Sequence, residues 1–374
     1  SAIDTDINTN NDGNNVIIPK HCKLITIDKK ENAIIKFKKS SIKLKFDAYN
    51  HKIIKYDDIQ LIKYSISYHK YSTIEIFTKT RKSYLIRFDG IYTEALLNKI
   101  QEFSFIDLTK IQLKDSDSSN KLLQIQNDWI NGDISNFEYL MNLNTFSGRS
   151  FNDISNYPIF PWIINDFWSQ TLDFNEEFIY RNLSLPVGAL TEKRLSKLLA
   201  KQRTKSYLYD SCYSNPFSVC YYLVRLEPFT SKFIEKNGLI SDDSEIFTSV
   251  GDSYIKASTN FSVFRELIPE FFFFPEFLIN NNTDFNNVVL PPWANNSPFE
   301  FIYMHRKALE SHYVSSHINE WIDLIWGNKQ NGEKAIEANN VFSPEFYDSI
   351  YDDQSIDLNE IEYLQSNTGK IPTK

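Results

Sequence analysis

The sequence predicts an α+β protein in two parts. The first is a small antiparallel β-sheet or barrel followed by one helix. The second is larger and mostly α-helical, with extended irregular segments in its core. Three observations predict this. Short runs between residues 16 and 90 alternate apolar and polar side chains with a period of two. Apolar residues beyond Ser297 recur at helical spacing. Between these regions lies a stretch that is apolar yet broken by prolines and rich in asparagine. The 374 residues suffice for two domains, and 29 Phe, 21 Tyr and 6 Trp suffice for a core built of large rings.

Residues 1–15 are polar and Asn-rich and read as a disordered tail, without the basic start and apolar centre of a signal peptide. In Ser41–Phe46, Ile42, Leu44 and Phe46 share one side and Lys43 and Lys45 the other. Tyr84, Ile86 and Phe88 alternate with Leu85 and Arg87, and Ile34–Phe37 and Ile74–Phe77 are similar short runs. From Ile91 to Phe103 the period changes, with Leu96, Ile100 and Phe103 on one helical face. Strands followed by one amphipathic helix is the layout of a pleckstrin-homology (PH) barrel capped by its C-terminal helix. Residues 111–121, which include the polar run Lys114–Lys121, read as a linker.

The central stretch runs from Asn136 to Asp166. Phe137, Tyr139, Leu140, Met141 and Leu143 are too apolar for a surface loop. Pro158 and Pro161 bar a long helix there and remove two backbone donors. Irregular buried backbone still needs partners, and asparagine supplies both donors and acceptors. The stretch is therefore expected to be an extended, buried segment stitched by its asparagines, Arg149 and Asp153, with structural rather than ligand-binding roles.

Toward the C-terminus, Ser297-Pro298-Phe299-Glu300 reads as a capping box that opens a helix to about Ser311. The next helix is expected near Ser316, with Ile318, Trp321, Ile322 and Ile325 on one face and Gly327 as the residue that stops it.

The blocks ISNFEYLM (Ile134–Met141), GRSFND (Gly148–Asp153) and YPIFPW (Tyr157–Trp162) resemble the opening signature of the BEACH domain family. The likeness continues through FIYRNLSLPVGAL (Phe178–Leu190), FRELIPEFFFFPEFLIN (Phe264–Asn280), EFIYMHRKALES (Glu300–Ser311) and INEWIDLIWGNKQNGEKAIEANNVF (Ile318–Phe342). In YDSCYS (Tyr209–Ser214), Asp210 and Cys212 replace the family's Gly and His. CKLIT (Cys22–Thr26), STIEIF (Ser72–Phe77) and SYLIRF (Ser83–Phe88) are similar to strands of the PH-like domain that precedes BEACH domains. Beside the tail at 1–15 and the linker at 111–121, the resemblance implies a PH-like domain at 16–110 and a BEACH domain at 122–374. Its signature residues are Asn136, Tyr139, Asn144, Arg149, Asn152, Asp153, Pro158, Pro161 and Trp162.

Candidate chemistry is sparse. There is no G-x-G-x-x-G, no Walker loop, no H-E-x-x-H, no C-x-x-C and no G-x-S-x-G. His305, His312 and His317 lack metal-ligand spacing, and Cys22, Cys212 and Cys220 suit a reducing compartment. Glu266, Glu270 and Glu276 read as Arg-paired or helix-terminal groups before acid/base groups, Arg225 and Glu227 as a buried pair, and Phe271–Phe274 as core. No metal, cofactor, nucleic-acid partner or enzymatic activity is expected. Residues 16–110 carry 19 Lys and Arg against 10 Asp and Glu, whereas 111–374 carry 21 against 35. This asymmetry suits docking of the two parts, or a basic face toward anionic lipid.

The resemblance implies a non-catalytic scaffold or adaptor of vesicle traffic, lysosome-related organelle biogenesis or autophagy. Such a module is cytoplasmic, peripherally associated with intracellular membranes, and followed by a WD-repeat propeller. An intracellular protein or peptide is expected at the seam of the PH-like and BEACH domains, with Arg81 and Lys82 as interface residues. The alternative is a phosphoinositide-reading module that uses the basic barrel.

Overall fold

The computed structural model describes residues 20–67, 70–92, 96, 111–112, 116–202, 205–237, 246–280, 286–347, 349–350 and 357–372. The expected tail and most of the expected helix at 91–103 lie outside them. Two compact units divide between Gln126 and Asn127.

The first unit is a curled antiparallel sheet, a half-barrel of seven strands with a short parallel addition. The strands are β1 (His21–Ile25), β2 (Lys30–Phe37), β3 (Ser41–Lys45), β4 (His51–Lys55), β5 (Ile59–Ser67), β6 (Tyr71–Thr78), β7 (Ser83–Asp89) and β8 (Ile111–Gln112). Their order is β4-β3-β2-β1-β7-β6-β5-β8, with β8 parallel to β5. Alternation places Leu24, Ile35, Ile42, Leu44, Ile54, Ile62, Ile74, Ile76, Ile86 and Phe88 in one core, which Leu96 joins.

Two strands escaped sequence reasoning. In β4 two isoleucines are adjacent, and only Ile54 faces the core while Ile53 is 52% exposed. In β5 a bulge between Ile59 and Leu61 breaks the alternation. The run expected as a linker is helical from Ser116 in α1 (Ser116–Ile130).

The second unit holds α2 (Asn136–Phe146), α3 (Glu192–Gln202), α4 (Pro216–Tyr222), α5 (Phe229–Asn237), α6 (Val250–Thr259), α7 (Pro298–Leu309), α8 (His312–Ile325), α9 (Glu333–Glu337) and α10 (Leu358–Thr368). Irregular chain and 3₁₀ turns connect them.

The extended reading of 136–166 is wrong over its first third, because Asn136–Phe146 is helical. The Glu138 N–H donates to Ser135 Oγ at 3.2 Å, and the Ser135 N–H donates to Glu138 Oε2 at 2.9 Å. That capping box starts the helix. Asn136, Tyr139, Leu140, Leu143 and Asn144 then bury one face at helical spacing. Beyond Gly148, whose φ is +84°, the chain is irregular through Asp166, as the prolines require.

Ser297 also caps, accepting from the Glu300 N–H at 3.2 Å. The reciprocal bond expected of a capping box is replaced, since the Ser297 N–H donates to Ala294 O at 2.8 Å. Ser297→Ala is therefore expected to cost about 1 kcal/mol, the usual loss of a single cap bond, read as a small shift of the denaturation midpoint. A loss several times larger would contradict a role limited to capping. α8 starts at His312, four residues before the expected Ser316, because Ser311 caps it by accepting from the Val314 N–H at 3.3 Å. Ile318, Trp321 and Ile325 are buried as expected. Gly327 is needed for close approach to the last turn, where a Cβ would strike Asp323.

Candidate functional site

Two irregular segments cross at the centre of the second unit. Phe160 and Leu267 pair antiparallel through both backbone bonds, at 2.9 and 2.8 Å. Beside this bridge sits the carboxylate of Glu266. Arg181 Nη1 meets Glu266 Oε2 at 2.6 Å, and both side chains are fully buried, 0% and 2% exposed. The Trp162 N–H donates to the same oxygen at 3.2 Å, and Trp321 Nε1 donates to Oε1 at 3.2 Å. The Glu266 N–H donates to Tyr213 O at 3.0 Å, and Arg181 Nη2 donates to Leu185 O at 2.9 Å. Three distant parts of the chain thus converge on the carboxylate of a fourth. A buried charge persists only when paired and hydrogen-bonded, and here every bond goes to structure.

The signature residues are tied into the second unit by contacts of their own, many of them to backbone. Asn136 accepts from Trp129 Nε1 at 2.6 Å and donates to Leu309 O at 2.7 Å and Ser315 Oγ at 2.9 Å. Tyr139 stacks on Trp129 with centroids 4.6 Å apart. Asn144 acts as a staple across irregular chain. Its Nδ2 donates to Leu140 O and Ile159 O, both at 2.9 Å, and its Oδ1 accepts from the Ile159 N–H at 2.8 Å. Arg149 donates to Tyr157 O at 2.5 Å, Ser214 Oγ at 3.1 Å and Lys370 O at 2.9 Å. It so ties the start of the signature to the C-terminal residues. Asp153 accepts from the Ser155 N–H at 3.0 Å and Asn156 Nδ2 at 2.9 Å, while the Asn152 N–H donates to Ser150 Oγ at 3.0 Å. Pro158, Pro161 and Trp162 are buried, and Trp162 Nε1 donates to Arg265 O at 2.9 Å.

Arg81 and Lys82 are exposed in the β6–β7 turn of the first unit, where Arg81 has φ +61°. The expected Arg225–Glu227 pair is absent. Arg225 donates to Asn286 O at 2.8 Å and Phe247 O at 2.5 Å, and Glu227 is exposed and accepts from Ser231 Oγ at 3.0 Å. Core packing holds for Phe271 and Phe272 but not for Phe273, which is 45% exposed. Phe271 is the ring hub, touching Tyr222 at 5.0 Å, Phe277 at 4.8 Å and Trp162 at 6.0 Å.

Two titratable groups depart from their ordinary range. His305 is fully buried against Phe301, whose ring centroid is 4.4 Å away, and burial pushes its pKa down to about 3. It is therefore a neutral member of the aromatic core. Burial pushes the Glu270 carboxyl up to about 7. Its Oε1 accepts from the Tyr157 hydroxyl at 2.5 Å, which partly offsets the desolvation, while Oε2 has no partner.

The sign follows. A carboxyl raised in the folded state binds more protons there than when unfolded. Its contribution is complete below the unfolded pKa and is lost as pH rises through about 7. The full swing is roughly 3 kcal/mol at about 1.4 kcal/mol per pKa unit. Glu270→Gln is expected to flatten the decline in stability between about pH 5 and pH 8, read by urea titration at both pH values. An unchanged pH slope would place the charge elsewhere.

Among the described residues no group of three His, Cys, Asp or Glu is placed to hold a metal ion, and no helix is long and apolar enough to cross a membrane. Sequence reasoning missed Arg181 and Ser214, and it placed Trp321 on the buried face of its helix without its bond to Glu266. Arg181 stands in the quoted block FIYRNLSL, but nothing in spacing links it to Glu266, 85 residues away.

Comparison with known proteins agrees with this arrangement. The profile of the Beige/BEACH domain matches residues 127–374. The chain is 43% identical over 265 residues to "BEACH domain-containing protein B" of Arabidopsis thaliana, covering 65% of this chain and 10% of that protein. It is 41% identical over 326 residues to "BEACH domain-containing protein lvsE" of Dictyostelium discoideum, covering 81% and 14%. It is 42% identical over 255 residues to "Beige protein homolog 1" of Saccharomyces cerevisiae, covering 63% and 12%. The chain thus spans about a tenth of the length of these relatives. The matched profile begins where the second unit begins and takes in the whole Glu266 centre, and the chain belongs to the Beige/BEACH domain family.

Proposed function

We propose that this chain is a non-catalytic scaffold or adaptor module of vesicle traffic, serving lysosome-related organelles or autophagy on the cytoplasmic side of intracellular membranes. Its first unit is read as a PH-like domain, in keeping with the strand order β4-β3-β2-β1-β7-β6-β5. Its partner is an intracellular protein or peptide. The observation that carries this reading is the use to which the polar residues of the second unit are put. Glu266, Arg181, Asn136, Asn144 and Arg149 are buried and spend their hydrogen bonds on the protein itself. Such a centre makes a rigid platform, and recognition then falls to exposed surface.

The test is selection of a displayed peptide library on the folded chain, followed by titration of the enriched sequences. Saturable binding of an enriched consensus is expected. The reading fails if no peptide of any composition is enriched and the chain instead sediments with vesicles in a headgroup-selective, salt-sensitive manner.

A further inference from the structure

The strand β4 is an open edge. It pairs with β3, and no strand of the described residues pairs with its other side. The direction of its unpaired groups follows from the ladder. The Phe46 N–H donates to Asn50 O at 3.0 Å, and the Tyr56 N–H donates to Ser40 O at 3.1 Å. Bonded pairs alternate between these two ends, so Leu44 with Lys52 and Ile42 with Ile54 are the mutually bonded pairs. His51, Ile53 and Lys55 therefore turn their N–H and C=O groups away from β3, toward the open edge.

The side chains of the same three residues lie on the outer face. There the register sets Lys45 beside His51, Lys43 beside Ile53 and Ser41 beside Lys55, with Lys36 beside Lys43 on the next strand. Outward positions of β2, β3 and β4 carry Lys36, Lys43, Lys45 and Lys55 and no acidic residue. Lys36, Lys43 and Lys55 meet no carboxylate among the described residues. Ile53, 52% exposed, stands among these lysines, and Tyr49, 91% exposed, projects from the adjoining turn. Asp47 fixes that turn by accepting from the Tyr49 and Asn50 N–H groups at 2.8 and 2.7 Å.

Resting on the scaffold reading above, we propose that β4 is a docking edge for an extended acidic peptide of a partner protein, which adds to the sheet as one further strand. Backbone groups of His51, Ile53 and Lys55 supply the ladder, and the outer face supplies selectivity. Side chains of an added strand alternate between faces. The preferred ligand thus has acidic, apolar and acidic residues at alternate positions. The apolar residue lies against Ile53 and the acids lie toward the lysines and His51. Charge complementarity decides the composition, since four outward lysines repel a basic strand and favour an acidic one.

The experiment is a fluorescence anisotropy titration of the whole chain with a labelled nonapeptide, Gly-Thr-Glu-Thr-Val-Thr-Glu-Thr-Gly. Saturable binding that weakens with salt is expected. The double variant Lys43→Glu, Lys55→Glu should weaken it about tenfold or more through charge reversal. Ile53→Pro removes one outward donor at an edge, where proline is tolerated, and should abolish binding without moving the melting temperature. If that variant unfolds, a peptide N-methylated at its central valine tests the same ladder on the unaltered chain and should not bind. Equal binding of the N-methylated peptide overturns the proposal. So does binding of anionic phosphatidylserine vesicles with none of the peptide, which would make this face a lipid surface. Library peptides that bind the chain but do not compete with the nonapeptide refute the β4 edge while leaving the scaffold reading intact.

Discussion

Glu266→Ala is expected to lower the stability of the second unit by about 3–5 kcal/mol, the range for removing one partner from a buried ion pair. Arg181 would remain fully buried at 0% side-chain exposure, with Leu185 O still accepting from it at 2.9 Å. The Trp162 N–H and Trp321 Nε1 would lose their acceptor at the same stroke. Because both tryptophans border the lost carboxylate, their fluorescence reports the transition in a urea titration. A loss below about 1 kcal/mol would mean that water reaches this centre.

Trp162→Ala is expected to cost a similar amount, about 3–5 kcal/mol. Trp162 is 0% exposed, and its ring meets Tyr254 at 5.3 Å, Phe167 at 5.8 Å and Phe271 at 6.0 Å. Loss of the indole leaves a cavity that rigid neighbouring rings fill poorly, and leaves Arg265 O without the indole donor. Trp162→Phe separates the two effects. It keeps most of the volume and should cost about 1–2 kcal/mol through the missing hydrogen bond and residual cavity. Equal losses for the two variants would assign the whole effect to the hydrogen bond.

The sequence carried the periodicity of most strands of the first unit, because half-buried strands alternate. It hid β4 and β5, where adjacent isoleucines and a bulge disturb the alternation. In the second unit the apolar content and prolines of residues 147–166 announced buried irregular chain, and Asn144 and Arg149 do stitch it. The extended reading fails over Asn136–Phe146 because it carries back to this segment the irregularity that Pro158 and Pro161 impose further on. The deciding signal, Ser135 followed by Glu138, was present in the residues. The Glu266 centre was half legible. A glutamate in an apolar block asks for a cation, but no local pattern says that the cation is Arg181. That information exists only in the tertiary crossing of Phe160 and Leu267.

On the scaffold reading proposed above, the buried polar residues of this domain build a platform and do not themselves perform the function. A double-mutant cycle on Arg181→Met and Glu266→Met tests it most directly, with stability and peptide binding measured on the same four proteins. Each single variant is expected to be strongly destabilised, and the double variant, free of an unpaired buried charge, to recover much of the loss. Every variant still folded should bind the enriched peptide with unchanged affinity. A folded, fully stable Glu266→Met protein that no longer binds its peptide would contradict that reading.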